Sequence, residues 1–351
     1  MSRTQYLDTQ PNGREGRDRE GNVIRADRQL LVAAEAVCVE AVREAGAVLM
    51  DFFRQPLPVE FKEKGQQAPV TEADRRSEEL LRAALQRAFP DHGIIGEEDE
   101  SIVNAGAEYV WFLDPLDGTA NFAAGLPAFA ISMGLCFRGV PVLGVVSIPG
   151  EGPEGTVFRA YQGSGAYCNS AAVTVAAAEL PASMRLASMP FWAFGQYRVG
   201  RQARLRQANV RAHGSIAYEL VYAARGAFQF SIISGARLWD MVAGVVLVQE
   251  AGGATLFGNG KMRRWNNWDT FLQRALARPF GEDSTALRKL HIDILAGNSH
   301  LVQQRAGHIR RRRPPLLGKT RRRMRQTWQR LKPASPTATP PKAAAPSTQQ
   351  S

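Results

Sequence analysis

The stretch Glu108-Tyr109-Val110-Trp111-Phe112-Leu113-Asp114-Pro115-Leu116-Asp117-Gly118-Thr119-Ala120-Asn121-Phe122 decides the reading of this chain. Tyr109 to Leu113 is an apolar, aromatic-rich run of strand length. It stops at Asp114, and Asp117 follows with two residues between. A buried strand that ends in two carboxylates delivers both into one small space, where they repel unless a cation stands between them. Ligands that are all oxygen favour a hard cation, Mg²⁺ before Zn²⁺. Gly118 lets backbone approach a ligand, and a helix opening near Thr119 offers free N–H groups to a phosphate. Taken alone, the Asp-Pro and Asp-Gly pairs also read as an ordinary turn. Three further acidic segments weigh against that.

Upstream, Ile94 and Ile95 read as a short buried strand ending at Gly96, followed by the acids Glu97 to Glu100. On its own that run equally reads as a solvated loop. Leu80, Leu81, Ala84, Leu85 and Phe89 mark a helix starting near Thr71 or Ala73. Asp74 falls in its first turn, where capping accounts for an acid as well as chemistry does. Val59 to Lys64 reads as a short strand. Leu31, Ala34, Val37, Ala41, Ala45, Val48 and Phe52 recur at three and four and predict one amphipathic helix over Arg28 to Arg54.

Downstream, Ala128 to Phe137, Val140 to Ile148 and Thr156 to Tyr161 are spaced like antiparallel strands, with a hairpin at Arg138-Gly139. Arg185 to Met189 is a further strand, and Tyr197 to Ala208 is polar and helix-compatible. Arg211 to Ala217 opens an apolar helix to about Arg225. His213 there is a tempting general base, but a lone histidine before a glycine turn reads as structural. Phe228 to Ile233 reads as a strand. Leu238 to Gly253 is an apolar helix with Asp240 in its first turn, a position that also suits the helix dipole. Ala254 to Phe257 and Ile292 to Ala296 are the last expected strands.

The 351 residues, 44% of them hydrophobic, suffice for one large domain or two small ones. Cys38, Cys136 and Cys168 show neither a disulfide framework nor zinc spacing, which points to a reducing, cytoplasmic compartment. No apolar run approaches the ~18 residues of a membrane span, and residues 1–27 lack the apolar core of a signal peptide. The net charge of +11 is uneven. Residues 305–351 hold 13 Lys or Arg and no acid, which leaves 31 basic and 33 acidic residues in 1–304. The expected organisation is a flexible leader over 1–27, a catalytic body over 28–304 and a basic, Pro/Ala-rich disordered tail over 305–351. Residues 305–332 are the candidate contact for a polyanion, nucleic acid or anionic lipid.

Acids thus meet glycines, turns or helix starts at four places: Asp74, Glu97-Glu98, Asp114 with Asp117, and Asp240. Gly96-Glu97-Glu98, Asp114-Pro115-Leu116-Asp117-Gly118-Thr119 with Asn121-Phe122, and Trp239-Asp240 followed by Ala251-Gly252-Gly253 resemble the inositol monophosphatase family. Val70-Thr71-Glu72-Ala73-Asp74 and Gly163 to Asn169 match its wording as well, and the resemblance spans roughly residues 30–302 in the family's order. It implies an α/β fold, a layered αβαβα sandwich of the inositol monophosphatase and fructose-1,6-bisphosphatase type. It also implies Mg²⁺-dependent hydrolysis of small phosphate monoesters, with two or three ions. Carried over position by position, Glu97, Asp114, Asp117 and Asp240 are the metal ligands, joined by the Leu116 carbonyl. Thr119 and Glu97 orient and activate water, with Asp74 behind Thr119. The N–H groups of Gly118 and Thr119 hold phosphate, Glu98 is a supporting acid, and Ser215 and Ile233 stand at substrate-facing positions.

Several metals lower the pKa of water and neutralise charge on the phosphoryl oxygens, so no protein nucleophile is required. Inositol-type members usually carry an acid shortly before the Trp-Asp pair, whereas Ser231 to Leu238 contains none and Ile233 stands at about that place. Relatives act on histidinol phosphate, fructose 1,6-bisphosphate and 3′-phosphoadenosine 5′-phosphate, and are often dimers inhibited by lithium. A rival from another class is a scaffold that binds polyanions through the tail.

Overall fold

The computed structural model describes residues 23–53, 60–61, 69–70, 72–98, 103–104, 106–179, 186–190, 197–199, 208–259, 264–276 and 284–311. The expected leader up to residue 22, Thr71, the segment 200–207 and the tail from residue 312 lie outside them. Helix α1 (Arg28–Phe53) buries Leu31, Ala34, Cys38, Ala41, Val42, Ala45 and Leu49. Val37, Val48 and Phe52, expected on that face, lie at the half-buried edge of the stripe, which spans a wide arc of the helix. The chain is already fastened ahead of α1. Ile24 is buried, its carbonyl accepts from Gln162 Nε2 at 3.0 Å, and Gln162 Oε1 accepts the Ala26 N–H at 3.2 Å. These residues belong to the body, although their polar setting predicts a leader up to residue 27.

Strands β1 (Glu60–Phe61) and β2 (Pro69–Val70) pair antiparallel ahead of α2 (Glu72–Ala88). Strand β3 (Gly93–Gly96) lies parallel to β4 (Tyr109–Asp117), and the short α3 (Thr119–Ala123) follows. Next come β5 (Ala130–Phe137), β6 (Val140–Ile148), β7 (Thr156–Tyr161), β8 (Ala166–Cys168) and β9 (Ala171–Val173), each antiparallel to its neighbour. Among the described residues, β3 to β9 form one seven-stranded sheet in chain order. The β5–β6 hairpin turns at Arg138 and Gly139 with φ of 49° and 80°, the twist-matched form of a two-residue loop.

The second half supplies β10 (Leu186–Ser188), β11 (Tyr197–Val199), β12 (Asn209–Arg211), α4 (Ile216–Ala224), β13 (Phe230–Ala236) and α5 (Leu238–Glu250). It continues with β14 (Ala254–Gly258), α6 (Trp268–Ala275), α7 (Ser284–Lys289), β15 (Ile292–Gly297), α8 (Ser299–His308) and β16 (Ile309–Arg311). Five of these strands form a sheet in the order β12-β10-β13-β15-β14. Helices α1 and α2 cover one face of the larger sheet, α4 and α5 fill the space between the sheets, and α8 packs on β14 and β15. This is the layered α/β sandwich that the resemblance implies. Helix α5 lies so close to β6 that a Cβ at Gly144 would run into the Ala243 backbone, a spacing only glycine permits. Residues of β13 divide between the layers. Ile233 joins the core between the sheets, whereas Phe230 and Ile232 face a second cluster with Leu295, Val302 and Ile309.

Two expectations are corrected here. Tyr197–Val199 is a strand rather than the start of a helix, because it pairs antiparallel with Ile309–Arg311. Tertiary pairing overrides a local composition that is merely compatible with helix. The same pairing carries the fold past residue 304. Helix α8 runs through Gln304 to His308, and Arg305 is buried with its guanidinium 4.2 Å over the Phe230 ring. Ile309 is buried, and Trp265 Nε1 donates to its carbonyl at 3.0 Å. An arginine-rich sequence reads as surface, yet an arginine's long apolar stem packs readily. Among the described residues no helix is long and apolar enough to cross a membrane.

Candidate active site

Strand β4 does not stop at Asp114 but continues to Asp117. Asp114 pairs with Ser132 and Asp117 with Ala130, so Pro115 and Leu116 together stand opposite Ile131 alone. This extra residue is a β-bulge. Side chains alternate along a strand, and residues three apart ordinarily point to opposite faces. One inserted residue cancels that alternation and brings both carboxylates to the same side. Pro115 sits where the ladder is interrupted and no N–H is needed. The Leu116 N–H donates to Asp114 Oδ1 at 3.0 Å, and the Ser77 hydroxyl donates to Pro115 O at 3.0 Å. Gly118 then turns the chain with φ 96° and ψ 36°, and a Cβ there would meet Ala128 O and Ser215 Cβ at 3.1 Å. Thr119 opens α3, and its hydroxyl donates to Leu116 O at 3.1 Å.

The remaining acids come from three other segments. Asp74 is buried in the first turn of α2. Glu97 follows β3, and its N–H donates to Leu113 O at 3.1 Å, which extends the ladder beside β4. Asp240 is the third residue of α5, and its Oδ2 accepts the Arg237 N–H at 2.8 Å, so the acid also caps its own helix. Ser132, the cross-strand partner of Asp114, donates to Trp239 O at 3.0 Å and ties the start of α5 to the same point.

These groups share one field. Burial, then the charges of Glu97, Asp117, Asp240 and Asp74, raise the Asp114 carboxyl well above the ordinary carboxylate range. Burial, then Asp117 and Glu97, do the same to Asp240. Asp117 is pushed up to about 7 by burial, against the pull of Ser215 Oγ at 2.7 Å and Ala217 N at 2.5 Å, both of which donate to its Oδ2. Like charges spread apart, and among the described residues no three His, Cys, Asp or Glu side chains stand in a closed ligand set. The donor chemistry nevertheless fits a hard divalent cation. Several buried carboxylates raise one another, and the Leu116 carbonyl lies beside them.

Several supporting residues escaped the sequence reading. The Glu98 N–H donates to Glu78 Oε2 at 2.8 Å, and Glu78 is itself held by Arg82 at 2.7 Å in a buried pair one turn along α2. Polar residues at 74, 77, 78 and 82 on the buried face of a helix were the available signal. Ser215, expected to face substrate, is fully buried and caps α4 by accepting the Tyr218 N–H at 3.2 Å while it donates to Asp117. Ile233 is buried in the core between the sheets and pairs with Ile294. An acid does stand beside the turn that follows it. Asp293 on β15 accepts from the Ser234 hydroxyl at 2.6 Å and the Gly235 N–H at 3.2 Å. The His213 ring stacks on Tyr218, and the backbone N–H of His213 donates to Glu219 Oε1 at 2.9 Å. The glycines of the 163–169 motif serve architecture, since the N–H groups of Gly163 and Gly165 both donate to Glu250 at the end of α5.

A layered sandwich in which acids from four separate segments act on one another's charge is the framework of a phosphatase for small phosphate esters. Residues 30–292 match the model of the inositol monophosphatase family, so the chain belongs to that family and is a phosphoric monoester hydrolase. It is 34% identical over 222 residues to the inositol-1-monophosphatase of Rhizobium meliloti, a match covering 62% of this chain and 82% of the relative. It is likewise 34% identical over 231 residues to the Nus factor SuhB of Pseudomonas aeruginosa, with the same coverage of 62% and 82%. The solved extragenic suppressor protein suhB from Bartonella henselae superposes with a TM-score of 0.61 at 27% identity, over 78% of this chain and 98% of that one.

Proposed function

We propose that this enzyme hydrolyses a small phosphate monoester with Mg²⁺ held by Glu97, Asp114, Asp117, Asp240 and the Leu116 carbonyl. The observation that carries this reading is the bulge that turns Asp114 and Asp117 to one side, where burial first, and then the charges of Glu97, Asp117, Asp240 and Asp74, push the Asp114 carboxyl upward. When bound, the cation supplies charge neutralisation on the phosphoryl oxygens and a lowered pKa for water. Glu97 takes the proton of the attacking water, and the Thr119 hydroxyl, already donating to Leu116 O, orients it. Asp74 supports that arrangement from the first turn of α2. The N–H groups of Gly118 and Thr119 hold the phosphate where the chain turns out of the bulge. Ser215 and Ala217 fix the rotamer of Asp117 from behind, and Arg237 N–H fixes Asp240.

Residues 231–238, ahead of the Trp239-Asp240 pair, carry no acid to accept a substrate hydroxyl, so we infer that inositol 1-phosphate is not strongly preferred over histidinol phosphate, fructose 1,6-bisphosphate or 3′-phosphoadenosine 5′-phosphate. The cytoplasmic location implied by cysteine usage belongs to the same proposal, and all three cysteines are free. The test is phosphate release from these four compounds, with Mg²⁺ and with a chelator. Release that needs Mg²⁺ supports the reading, and equal release in chelator overturns it. A preference for inositol 1-phosphate above roughly 100-fold, worth about 2.7 kcal/mol, overturns the substrate inference.

A second proposal concerns the basic segment 305–332, which we read as a polyanion contact. A relative is called a Nus factor, and the segment holds no acid. Arg305 does not contribute, because it is buried against Phe230.

A further inference from the structure

The loop carrying Glu97 is fastened by a residue outside every motif described above. Arg288, in α7, donates from Nη1 to Gly96 O at 2.5 Å and from Nη2 to Glu97 O at 2.8 Å. The same guanidinium lies 5.1 Å from the centroid of the Trp239 ring, and Asp240 is the next residue along the chain. Arg237 also stacks on that ring, at 6.0 Å, while its Nη1 donates to Arg288 O at 3.0 Å and Leu290 O at 3.3 Å. The contacts close a circuit from the Glu97 backbone through Arg288, Trp239 and Arg237 back to the backbone of α7. Glu97 hangs from the edge strand of the larger sheet, and Asp240 from a helix between the sheets. Among the contacts described, this circuit bridges the two through a rigid planar group.

We propose that Arg288 is a positioning residue for this phosphatase, setting the separation of the Glu97 and Asp240 carboxylates and thereby the affinity for the divalent cation. The inference rests on the reading of those two acids as Mg²⁺ ligands. A guanidinium suits the task because its fork reaches two carbonyl oxygens at once while its flat face stacks on indole. A lysine ammonium is a single point charge on a flexible stem and does only part of this.

The experiment uses the full chain carrying Arg288→Met or Arg288→Lys. Three quantities are measured: Mg²⁺ affinity by calorimetry, the Mg²⁺ concentration for half-maximal phosphate release, and the metal-free melting temperature. Arg288→Met is expected to weaken Mg²⁺ binding by about 10-fold or more, the usual scale for partners that orient metal ligands, with kcat at saturating Mg²⁺ within about threefold of wild type. Arg288→Lys is expected to fall between. A residue that only docks α7 would lower the melting temperature and leave Mg²⁺ affinity alone, and that result overturns the proposal. Should Arg288→Met fail to fold, an unchanged Mg²⁺ affinity in folded Arg288→Lys overturns it equally. Wild-type protein that binds no Mg²⁺ and turns over in chelator removes the reading of the site and the proposal together. A Mg²⁺-dependent wild type with unaltered variants removes the proposal alone.

Discussion

Replacing Asp117 by Asn is expected to abolish turnover and yet to stabilise the metal-free protein. Burial holds this carboxyl at about 7 instead of 3.8. The unfolded chain ionises at the lower value, so an ionised Asp117 costs the fold about 4 kcal/mol at any pH above both. The sign follows from the raised folded value. Below pH 3.8 the group is neutral in both states and costs nothing; the cost grows as pH rises through 3.8 towards 7 and is complete above it. Asn keeps a carbonyl oxygen for the Ser215 and Ala217 donors but adds amide N–H donors to a buried site, a deficit of about 1–2 kcal/mol. The net gain of about 2–3 kcal/mol at pH 8 corresponds to a rise of roughly 3–5 °C in Tm for a body of this size. Calorimetric melts in chelator at pH 8 and at pH 4 check it, because the advantage of the variant should fade at the lower pH. Saturating Mg²⁺ should reverse the order, since only the wild type gains full binding linkage. Loss of a charge that acts in the transition state should lower kcat by orders of magnitude. The reasoning is refuted if Asp117→Asn melts at or below wild type in chelator at pH 8, or if its advantage does not depend on pH.

Two further outcomes are expected. A chain ending at Arg311 should keep Tm and kcat/KM and lose only salt-sensitive binding to polyanions. Ending it at Gln304 removes buried Ile309, the Arg305 contact with Phe230 and the Trp265 hydrogen bond, worth together about 3–5 kcal/mol. Its Tm should drop by several degrees, and equal melting of the two chains would contradict the role given to β16. His92 stacks on Phe89 and Tyr109, its Nδ1 accepts from Trp111 Nε1 at 3.1 Å, and burial lowers its pKa from 6.5. Below pH 6.5 the unfolded chain takes up a proton that the folded ring resists, so this histidine's contribution is full above 6.5 and is lost as pH falls. The stability difference between wild type and His92→Gln should therefore shrink from pH 7.5 to pH 5, and a constant difference would count against it.

Acids at the ends of apolar runs leave a trace in the sequence, and each one alone reads equally well as a turn, a cap or a solvated loop. Patterning together with the family resemblance singled out Asp114, Asp117, Glu97, Asp74 and Asp240, and in the structure the charges of the other four act on Asp114. What patterning could not give was support from across the fold. Glu78 and Arg288 brace the segment 96–98 from α2 and α7, and no local spacing relates them to it. Strands of three residues such as β8, β9 and β11 carry too few residues for a period of two to be recognised, and their partners are set by tertiary pairing. The end of the body was misread for the same reason. Arg305 and Ile309 sit in a basic stretch, and only the Phe230 ring and strand β11 show where they belong.

The bulge at Pro115 and Leu116 makes the acid pair a matter of parity as well as of identity. Many side chains at either position would leave Asp114 and Asp117 facing together, because the count of residues between them is what turns the second acid inward. Removing one residue would do what no substitution there does, sending Asp117 to the opposite face, away from Ser215 and Asp114, with every acid still in the sequence. A descendant of this chain could therefore keep all its carboxylates and lose its chemistry through a single deletion. In judging whether a distant relative is still an enzyme, the length of this segment is as informative as its letters.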